Sequence, residues 1–412
     1  MRNSQKKCLK NVFLLKHLVL LHEITLYMPD NRKPSRSGLY IHVPFCKSRC
    51  IYCGFYSTVG TRLRQDYVDA LCEEIRLRGP LRPITVYIGG GTPSQLSFAQ
   101  LEQLFRCMDE VYGAAWQHPD GHPIEITMEC NPDDVTEGFT AHLSTLPVNR
   151  VSLGIQTFNN ERLRFLRRRH TASEAMEAVR RLRGAGFRNI SIDLMFGFPD
   201  ETLDEWMEDI EQALSLHVDH LSAYSLMYEE GTPLHQLLVK RQVSEIEEEL
   251  YIRMYDVLVD RLKTHGYHHY EISNFAHEGM HSRHNSLYWD DVPYVGLGAS
   301  AHSYDGQRRQ WNVADVRQYI TSISQGKIPS EYETIDLQTH YNDMITTRLR
   351  TCTGIDIEDM RRTFGDHLYH YLLQNADTMV REGYLKMEEG RLRLTLAGIH
   401  VSDMVMSELI YI

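Results

Sequence analysis

Long apolar runs are absent from this sequence of 412 residues. One candidate, residues 12–21, is interrupted by Lys16 and His17 and is shorter than the roughly 20 apolar residues that a membrane-spanning helix needs. The small-residue cleavage site of a secretory signal does not follow it. We therefore expect no stable membrane insertion and interpret residues 1–36 as an N-terminal extension without a catalytic role. A translation start at Met28 and an amphipathic membrane tether are the alternatives for this segment.

Cysteine is scarce, and positive charge is not in excess. Eight cysteines in so long a chain do not form a disulfide scaffold. Because 44 Lys and Arg residues face 55 Asp and Glu residues, the net charge is −11, which argues against binding of nucleic acid through its phosphates. The composition, 42% hydrophobic and 24% charged, is that of a globular protein. Its length indicates about two to three domains.

Three of the eight cysteines lie together. Cys46, Cys50 and Cys53 have the spacing CxxxCxxC and follow a strand-like run that begins at Leu39. Thiolates hold iron–sulfur clusters, and three of them on one loop can bind three corners of a [4Fe–4S] cube and leave the fourth iron open. The alternative, a structural zinc site, needs four ligands, and no second cysteine pair is present. The loop therefore predicts a cluster, and such a cluster favours a reducing cytoplasm.

Strand-like and helix-like segments alternate from Leu39 to about residue 226. Six β-type runs, each followed by a helical pattern, are typical of parallel βαβ units and predict an α/β fold. The pattern does not separate a doubly wound sheet from a partial barrel. In both folds, sites form at the carboxyl ends of the strands. The run Gly89–Pro93, Glu129 and Gln156 each stand at such an end, so we expect them to line one pocket.

A separate unit is predicted from residue 332 onward. Helices, a hairpin that turns at Glu389 and Gly390, and a closing helix resemble a winged-helix domain. Asp336 to Ile412 carries 8 Lys and Arg residues against 12 Asp and Glu residues, so packing or docking is favoured over DNA binding. The predicted organisation is an extension (1–36), a barrel (37–275), a connecting region (276–331) and a mostly helical, winged-helix-like C-terminal domain (332–412).

The cysteine loop resembles that of the radical S-adenosylmethionine (SAM) enzymes, and the likeness runs from about Leu39 to the C-terminus. Within that superfamily the chain is similar to the branch of oxygen-independent coproporphyrinogen III oxidase, and most closely to its heme chaperones. The resemblance implies a partial (β/α)6 TIM-type barrel that is open at one side. It also implies a [4Fe–4S] cluster on Cys46, Cys50 and Cys53, with SAM on the fourth iron and reductive cleavage of SAM.

Motifs at the strand ends match those that contact SAM in this superfamily. The residues that the resemblance assigns to SAM are Tyr40, Gly90, Gly91, Thr92, Glu129, Gln156, Arg168, Asp193 and Met227. It implies that Arg168 binds the carboxylate of SAM and that Asp193 binds its ribose. Arg167 and Arg169 flank Arg168 and are alternatives to it. On the local pattern alone, Glu129 is also consistent with a solvated acid.

Two sequence features, one residue and one motif, separate the chaperones from the oxidases of this branch. The oxidases carry another cysteine two residues after the third, where this chain has Phe55. The segment His284-Asn-Ser-Leu-Tyr-Trp289 matches the HNxxYW motif of the heme chaperones. Aromatic rings offer a flat face to a porphyrin, and His or Tyr can ligate heme iron, so His284, Tyr288 and Trp289 are assigned as heme contacts. Gly54 departs from the chaperone pattern, which usually has Asp there.

The sequence therefore predicts a cytoplasmic heme chaperone on a radical SAM scaffold, which transfers heme to an acceptor protein. Its expected cofactors are the cluster, SAM and heme, and no catalytic residue is assigned. The alternative is an enzyme of porphyrin biosynthesis, either oxygen-independent coproporphyrinogen III dehydrogenase or another radical SAM enzyme that acts on a porphyrin. Phe55 disfavours the dehydrogenase. A radical SAM enzyme with a substrate other than heme is a third alternative.

Overall fold

A twelve-stranded mixed sheet is the centre of the structure. This computed structural model describes residues 36–113 and 123–412. The predicted N-terminal extension, with its alternative start at Met28 and its possible role as a tether, lies outside the described residues except for Arg36. No helix in the described part of the chain has the length and apolar character needed to cross a membrane.

Strands and helices alternate along most of the chain. The strands are β1 (Arg36–Val43), β2 (Phe45–Cys46), β3 (Thr58–Val59), β4 (Arg82–Gly90), β5 (Glu125–Cys130), β6 (Arg150–Gln156), β7 (Asn189–Phe196), β8 (His220–Ser225), β9 (His268–Glu271), β10 (Asn274–Ala276), β11 (Tyr294–Leu297), β12 (His302–Tyr304), β13 (Arg308–Asn312), β14 (Ser330–Thr334), β15 (Ile355–Asp356), β16 (Leu385–Glu388) and β17 (Arg391–Leu394). The helices are α1 (Arg64–Arg78), α2 (Phe98–Tyr112), α3 (Glu137–Leu143), α4 (Asn160–Phe165), α5 (Ala172–Gly184), α6 (Leu203–Ser215), α7 (Pro233–Val239), α8 (Glu248–Thr264), α9 (Arg283–Trp289), α10 (Val316–Ser324), α11 (Leu337–Arg348), α12 (Ile357–Arg381), α13 (Leu396–His400) and α14 (Ser402–Leu409).

Six of the strands pair in the order of the chain. β1, β4, β5, β6, β7 and β8 are parallel neighbours, and β11 joins the parallel set on the far side of β1. A doubly wound sheet would reverse this order at a switch point. Antiparallel strands extend both sides, and β14 and β9 remain edges. The predicted α/β fold, a barrel of six βα units open at one side, is therefore confirmed.

Alternation along each barrel strand separates the core from the interior of the barrel. On β7, Ile190, Ile192 and Leu194 belong to the main apolar core, whereas Asp193 and Met195 line an internal cavity. Strands buried on both faces usually read as continuous apolar runs, and here the polar residues at every second position mark the inner face. The cavity is thus built into the strand pattern.

Two segments differ from the sequence-based prediction. Residues 267–275, predicted as one strand, form the hairpin of β9 and β10. Residues 276–312, which show no clear periodicity, contain α9, β11, β12 and β13. β11 pairs with β1 from Gly38 opposite Tyr294 onward. A parallel pair this far apart in sequence leaves no local pattern that could reveal it.

The C-terminal unit has a core of its own. Helices α11, α12 and α14 pack around buried residues such as Tyr341, Leu372 and Leu409, beside a small sheet in the order β15-β17-β16. The two helices predicted between residues 357 and 382 are continuous except for a kink at Gly365, whose φ of 81° is in the left-handed region that glycine tolerates.

A buried carboxylate ties α1 to the later strands. Glu74 is completely buried, and it accepts hydrogen bonds from Arg78 Nη2 (2.7 Å), Gly298 N (2.8 Å), Asn312 Nδ2 (2.9 Å) and Tyr319 Oη (2.6 Å). These donors come from α1, from the segment after β11, from β13 and from α10. Because four donors depend on it, its loss would leave buried polar groups without a partner.

We expect Glu74→Ala to lower the free energy of unfolding by about 3–5 kcal/mol, the usual cost of removing one member of a buried ion pair. Urea unfolding followed by circular dichroism measures this change. Glu73→Ala is the matched control, because Glu73 is half exposed and should change stability by less than about 1 kcal/mol. Equal effects of the two substitutions would contradict the role of Glu74.

Candidate functional site

Predicted site residues meet at one cavity of about 440 Å³ inside the barrel. It opens at the carboxyl ends of the parallel strands, where Gly90 ends β4 and Gln156 ends β6. The predicted residues that line it are Cys46, Cys50, Cys53, Gly90, Gly91, Thr92, Glu129, Gln156, Arg168, Asp193 and Met227. The predicted residues that do not line it are Tyr40, His284, Tyr288 and Trp289.

The three cysteines form one wall of the cavity as free, half-buried thiols. Thr92 Oγ1 donates to Cys46 Sγ (3.5 Å), and Arg168 Nη1 donates to Cys50 Sγ (3.5 Å). Burial raises the pKa of Cys46, and it raises the pKa of Cys53 to about 11. Stable thiolates here therefore need a positively charged ligand, which bound iron provides.

The donor set fits a cluster better than a single ion. In the described ranges, no group of three or more His, Cys, Asp or Glu residues converges closely enough to hold one metal ion. Cysteines of an iron–sulfur cluster bind separate irons, so they need not converge on one point. Soft sulfur ligands on one wall suit iron and sulfide.

The glycine run lies directly against the chain that enters the cysteine loop. Gly90 has a φ of 109°, and a Cβ on Gly91 would lie 2.8 Å from the carbonyl carbon of Pro44. Side chains at these positions would be strained or would clash. The backbone after β4 can therefore approach both the loop and a ligand closely.

Glu129, at the end of β5, is held in a fixed orientation. Its carboxylate accepts hydrogen bonds from Tyr87 Oη (2.8 Å) and from Gly90 N (3.0 Å). Burial outweighs these bonds and raises the pKa of Glu129 to about 7. The carboxylate can thus change its charge near neutral pH, and a cationic ligand would favour the ionised form.

Gln156 stands at an irregularity in β6. Its φ is 75°, which is uncommon for a residue other than glycine, and the register between β6 and β7 shifts between Gly154 and Gln156. A Cβ on Gly154 would lie 2.9 Å from Gln156 Nε2 and 3.2 Å from Arg168 Nη2. Strained backbone at a strand end is frequent at ligand sites, and here it directs an amide into the cavity.

Arg168, and not a neighbouring arginine, points into the cavity. Its Nη2 donates to Asn131 Oδ1 (2.7 Å) and to the carbonyl oxygen of Gly154, while its Nη1 reaches Cys50. Arg169 instead pairs with Asp133 (2.6 Å), outside the set of cavity-lining residues. The alternative assignment to Arg169 is therefore disfavoured by the geometry.

The remaining residues assigned to SAM differ in depth. Asp193 accepts a hydrogen bond from Ser152 Oγ (3.4 Å), and burial raises its pKa. Met227 is 59% exposed at the mouth of the cavity. Tyr40 does not line the cavity. Its hydroxyl is hydrogen-bonded to His42 Nδ1 (2.9 Å), and its ring stacks on that of Tyr87, which does line the cavity. Tyr40 therefore supports a cavity residue.

The HNxxYW segment forms α9, at the end of the barrel opposite the cysteine loop. Glu125, the first residue of β5, accepts hydrogen bonds from the backbone N–H groups of Arg283 and His284 (2.9 Å each). His284 is 1% exposed, and its two ring nitrogens bond Thr85 Oγ1 (2.8 Å) and Tyr288 Oη (2.9 Å). Burial, and then the charge of a nearby arginine, lower the pKa of His284 to about 3. Neither nitrogen is free to bind iron in this conformation.

Helix α9 also contacts the C-terminal unit. The guanidinium of Arg350 lies over the ring of Trp289, with its Cζ 5.4 Å from the ring centroid. Arg348 pairs with Asp290, and His340 Nε2 lies 2.7 Å from a carboxylate oxygen of Asp291. One face of the Trp289 ring is therefore covered by a cation of the C-terminal unit.

Several cavity residues were not predicted. Among them are Arg150, Ser152, Ser222, Tyr224, Asn131 and Asn285. Arg150 and Ser152 lie on β6 at the same two-residue period as Gln156, which is a signal in the sequence for an inward direction. Ser222 and Tyr224 lie on β8, where no site residue was predicted. Asn285 carries no such signal, because the position of α9 depends on long-range packing.

Two family models and a set of relatives match this chain. The family model described as Radical SAM superfamily matches residues 40–213, and the HemN C-terminal domain model matches residues 335–401. The chain is 34% identical over 365 residues to the heme chaperone HemW of Bacillus subtilis, which covers 87% of this chain and 95% of that protein. It is 32% identical to HemW of Lactococcus lactis, with 91% and 97% covered.

A solved structure agrees in fold. The radical SAM enzyme coproporphyrinogen III oxidase (HemN) from Escherichia coli superimposes with a TM-score of 0.77 and covers 92% of this chain and 91% of that chain. The identity is 20%, so this likeness concerns the fold alone.

We expect SAM to bind about tenfold more weakly at pH 6 than at pH 8, because the pKa of Glu129 is about 7 and its neutral form is a weaker acceptor for the amino group of SAM. Equilibrium binding of SAM across this range measures the effect. Glu129→Gln should bind weakly at all pH values, whereas Glu137→Gln, at an exposed acid of α3, should retain the dependence. A pH dependence that persists in Glu129→Gln would contradict the role of Glu129.

Replacement of Cys50 by alanine should abolish the iron–sulfur absorbance at roughly 400 nm after anaerobic reconstitution, because one iron loses its ligand. Cys352→Ala, at an exposed cysteine outside the cavity, is the control and should retain it. Full absorbance in Cys50→Ala would exclude the cysteine loop as the cluster site.

Proposed function

This chain belongs to the family of the heme chaperone HemW, and we propose that it binds heme and passes it to an acceptor protein in the cytoplasm. The observation that carries the proposal is the similarity to HemW proteins over 95% and 97% of their lengths. The second position after the third cysteine gives further support. Phe55 is 72% exposed there, where the oxidase pattern has a cysteine.

The cavity residues would hold a cluster and SAM. Cys46, Cys50 and Cys53 would bind three irons, and Arg168 would stabilise the thiolate of Cys50. Glu129 would accept a hydrogen bond from the amino group of SAM, and its ionised form is the stronger acceptor. When bound, the cluster supplies an electron and SAM is the group that it reduces. The protein contributes orientation and a partly enclosed pocket.

Heme contact at α9 requires a local rearrangement. His284 must lose its hydrogen bond to Thr85 or to Tyr288 before a ring nitrogen can bind iron. Trp289 must likewise leave Arg350 before its ring can stack on a porphyrin. We therefore propose that heme binds at α9 in a conformation in which this helix has moved away from β4.

Coproporphyrinogen III dehydrogenase is the alternative function. A likeness of 20% identity to an oxidase shows the fold and does not favour this activity. Anaerobic incubation of the reconstituted protein with coproporphyrinogen III and SAM, followed by analysis for vinyl groups, separates the two functions. Clear turnover would reject the chaperone, and its absence together with heme transfer would support it.

The heme test uses hemin titration of the reconstituted protein, followed by the Soret band. We expect a band with the wild-type protein and a shifted or weakened one with His284→Ala, because an axial nitrogen is lost. No band with the wild-type protein would overturn the proposed function. An unchanged band in His284→Ala would exclude His284 as the ligand.

Thr85→Val tests whether His284 must be released. Removal of one hydrogen bond should strengthen hemin binding by about two- to tenfold, because the competing bond is gone. Thr127→Val is the matched control, since the hydroxyl of this equally buried barrel residue has no hydrogen-bond partner among the described residues. Equal affinities in both variants would contradict the need for release.

A further inference from the structure

Arg150 is a buried cation at the inner end of the cavity. Its side chain is 2% exposed and lines the cavity wall at the first position of β6. Among the residues that the structure describes, its Nε has no hydrogen-bond partner. A buried donor without an acceptor is unfavourable, so this guanidinium at the cavity wall favours an anionic ligand.

Two acids that feel the charge of Arg150 are hydrogen-bonded to other groups. Glu129 accepts from Tyr87 and Gly90, and Asp193 accepts from Ser152. Burial raises the pKa of both carboxyl groups and the positive charge of Arg150 opposes that rise, so both lie within its electrostatic reach. If SAM binds to Glu129 and Asp193, these two carboxylates are occupied, and Arg150 is left as a cavity cation without an anionic partner among the described residues.

Arg150 is far from the cysteine end of the cavity. Gly154, whose carbonyl oxygen bonds Arg168, follows it by four residues on the same strand, which corresponds to about 13 Å. At its other end, Arg150 lies near α9. Its charge, after burial, helps to lower the pKa of His284 on that helix. Asn285, the next residue of α9, also lines the cavity. Arg150 and Asn285 thus offer hydrogen-bond donors at the inner end.

We infer that Arg150 binds a carboxylate of the ligand that fills the inner end of the cavity, and that this carboxylate is a propionate of heme. The inference rests on the proposed function for its choice of ligand. An arginine offers a forked pair of donors to a carboxylate, and a buried arginine binds it more strongly than an exposed one. SAM also carries a carboxylate, but a carboxylate held at Arg168 and the cluster cannot also reach Arg150.

The test compares hemin with hemin dimethyl ester, whose propionates carry no charge. Reconstituted wild-type protein should bind the ester at least about tenfold more weakly than hemin. Arg150→Gln should bind hemin at least about tenfold more weakly than the wild type, and should bind the ester as the wild type does. Arg150→Lys, which keeps the charge but not the fork, should give an intermediate affinity for hemin.

Two controls separate the carboxylate contact from other effects. Arg362→Gln removes the same charge at an exposed position of α12 and should leave hemin affinity unchanged. Loss of the Arg150 charge would raise the pKa of Glu129 further, so SAM affinity is compared at a pH well above that pKa. There SAM should bind Arg150→Gln and the wild type within about twofold of one another, with cluster absorbance and circular dichroism unchanged. The ester comparison needs no variant, so it tests for recognition of a charged propionate even if Arg150→Gln fails to fold, and Arg150→Lys then tests whether Arg150 is the partner.

The outcomes are distinct. Equal affinity of the wild-type protein for hemin and for its ester overturns the inference and leaves the proposed function standing. A tenfold loss of SAM affinity in Arg150→Gln assigns the arginine to SAM or to the interior acids and also overturns the inference. Absence of hemin binding by the wild-type protein overturns both.

Discussion

Every parallel strand of the barrel has an aliphatic face toward the helices and a polar face toward the interior, and the site depends on this alternation. Polar groups enclosed by a barrel must find partners, because unpaired burial is costly. Most do: Tyr87 bonds Glu129, Ser152 bonds Asp193, and His220 bonds Tyr270. Those whose partner is missing, such as the Arg150 guanidinium, are the ones that a ligand would satisfy.

The sequence predicts the part of the fold that has a local signature. The six βα units follow from alternating patterns, and the cavity follows from motifs at successive strand ends. The cysteine loop, the glycine run and Glu129 can all be placed at one site by their positions along the chain. The family resemblance adds SAM and heme, which the cysteine spacing alone does not indicate.

The remainder depends on contacts between distant segments. β11 pairs with β1 across more than 250 residues, and nothing local marks it as a strand of this sheet. Helix α9 reads as a motif in the sequence, but the sequence does not show that its histidine faces Thr85 instead of solvent. Arg150 was missed because an arginine that opens a strand resembles a surface residue until the barrel encloses it.

The contact between Arg350 and Trp289 has an optical consequence. The sequence contains four tryptophans, and this indole is covered by a cation carried on the segment that follows α11. Indole emission responds to adjacent charge and to water, so its intensity and wavelength would report separation of the C-terminal unit from α9. The protein thus has an intrinsic fluorophore on α9, a helix that contacts both the barrel strands and the C-terminal unit.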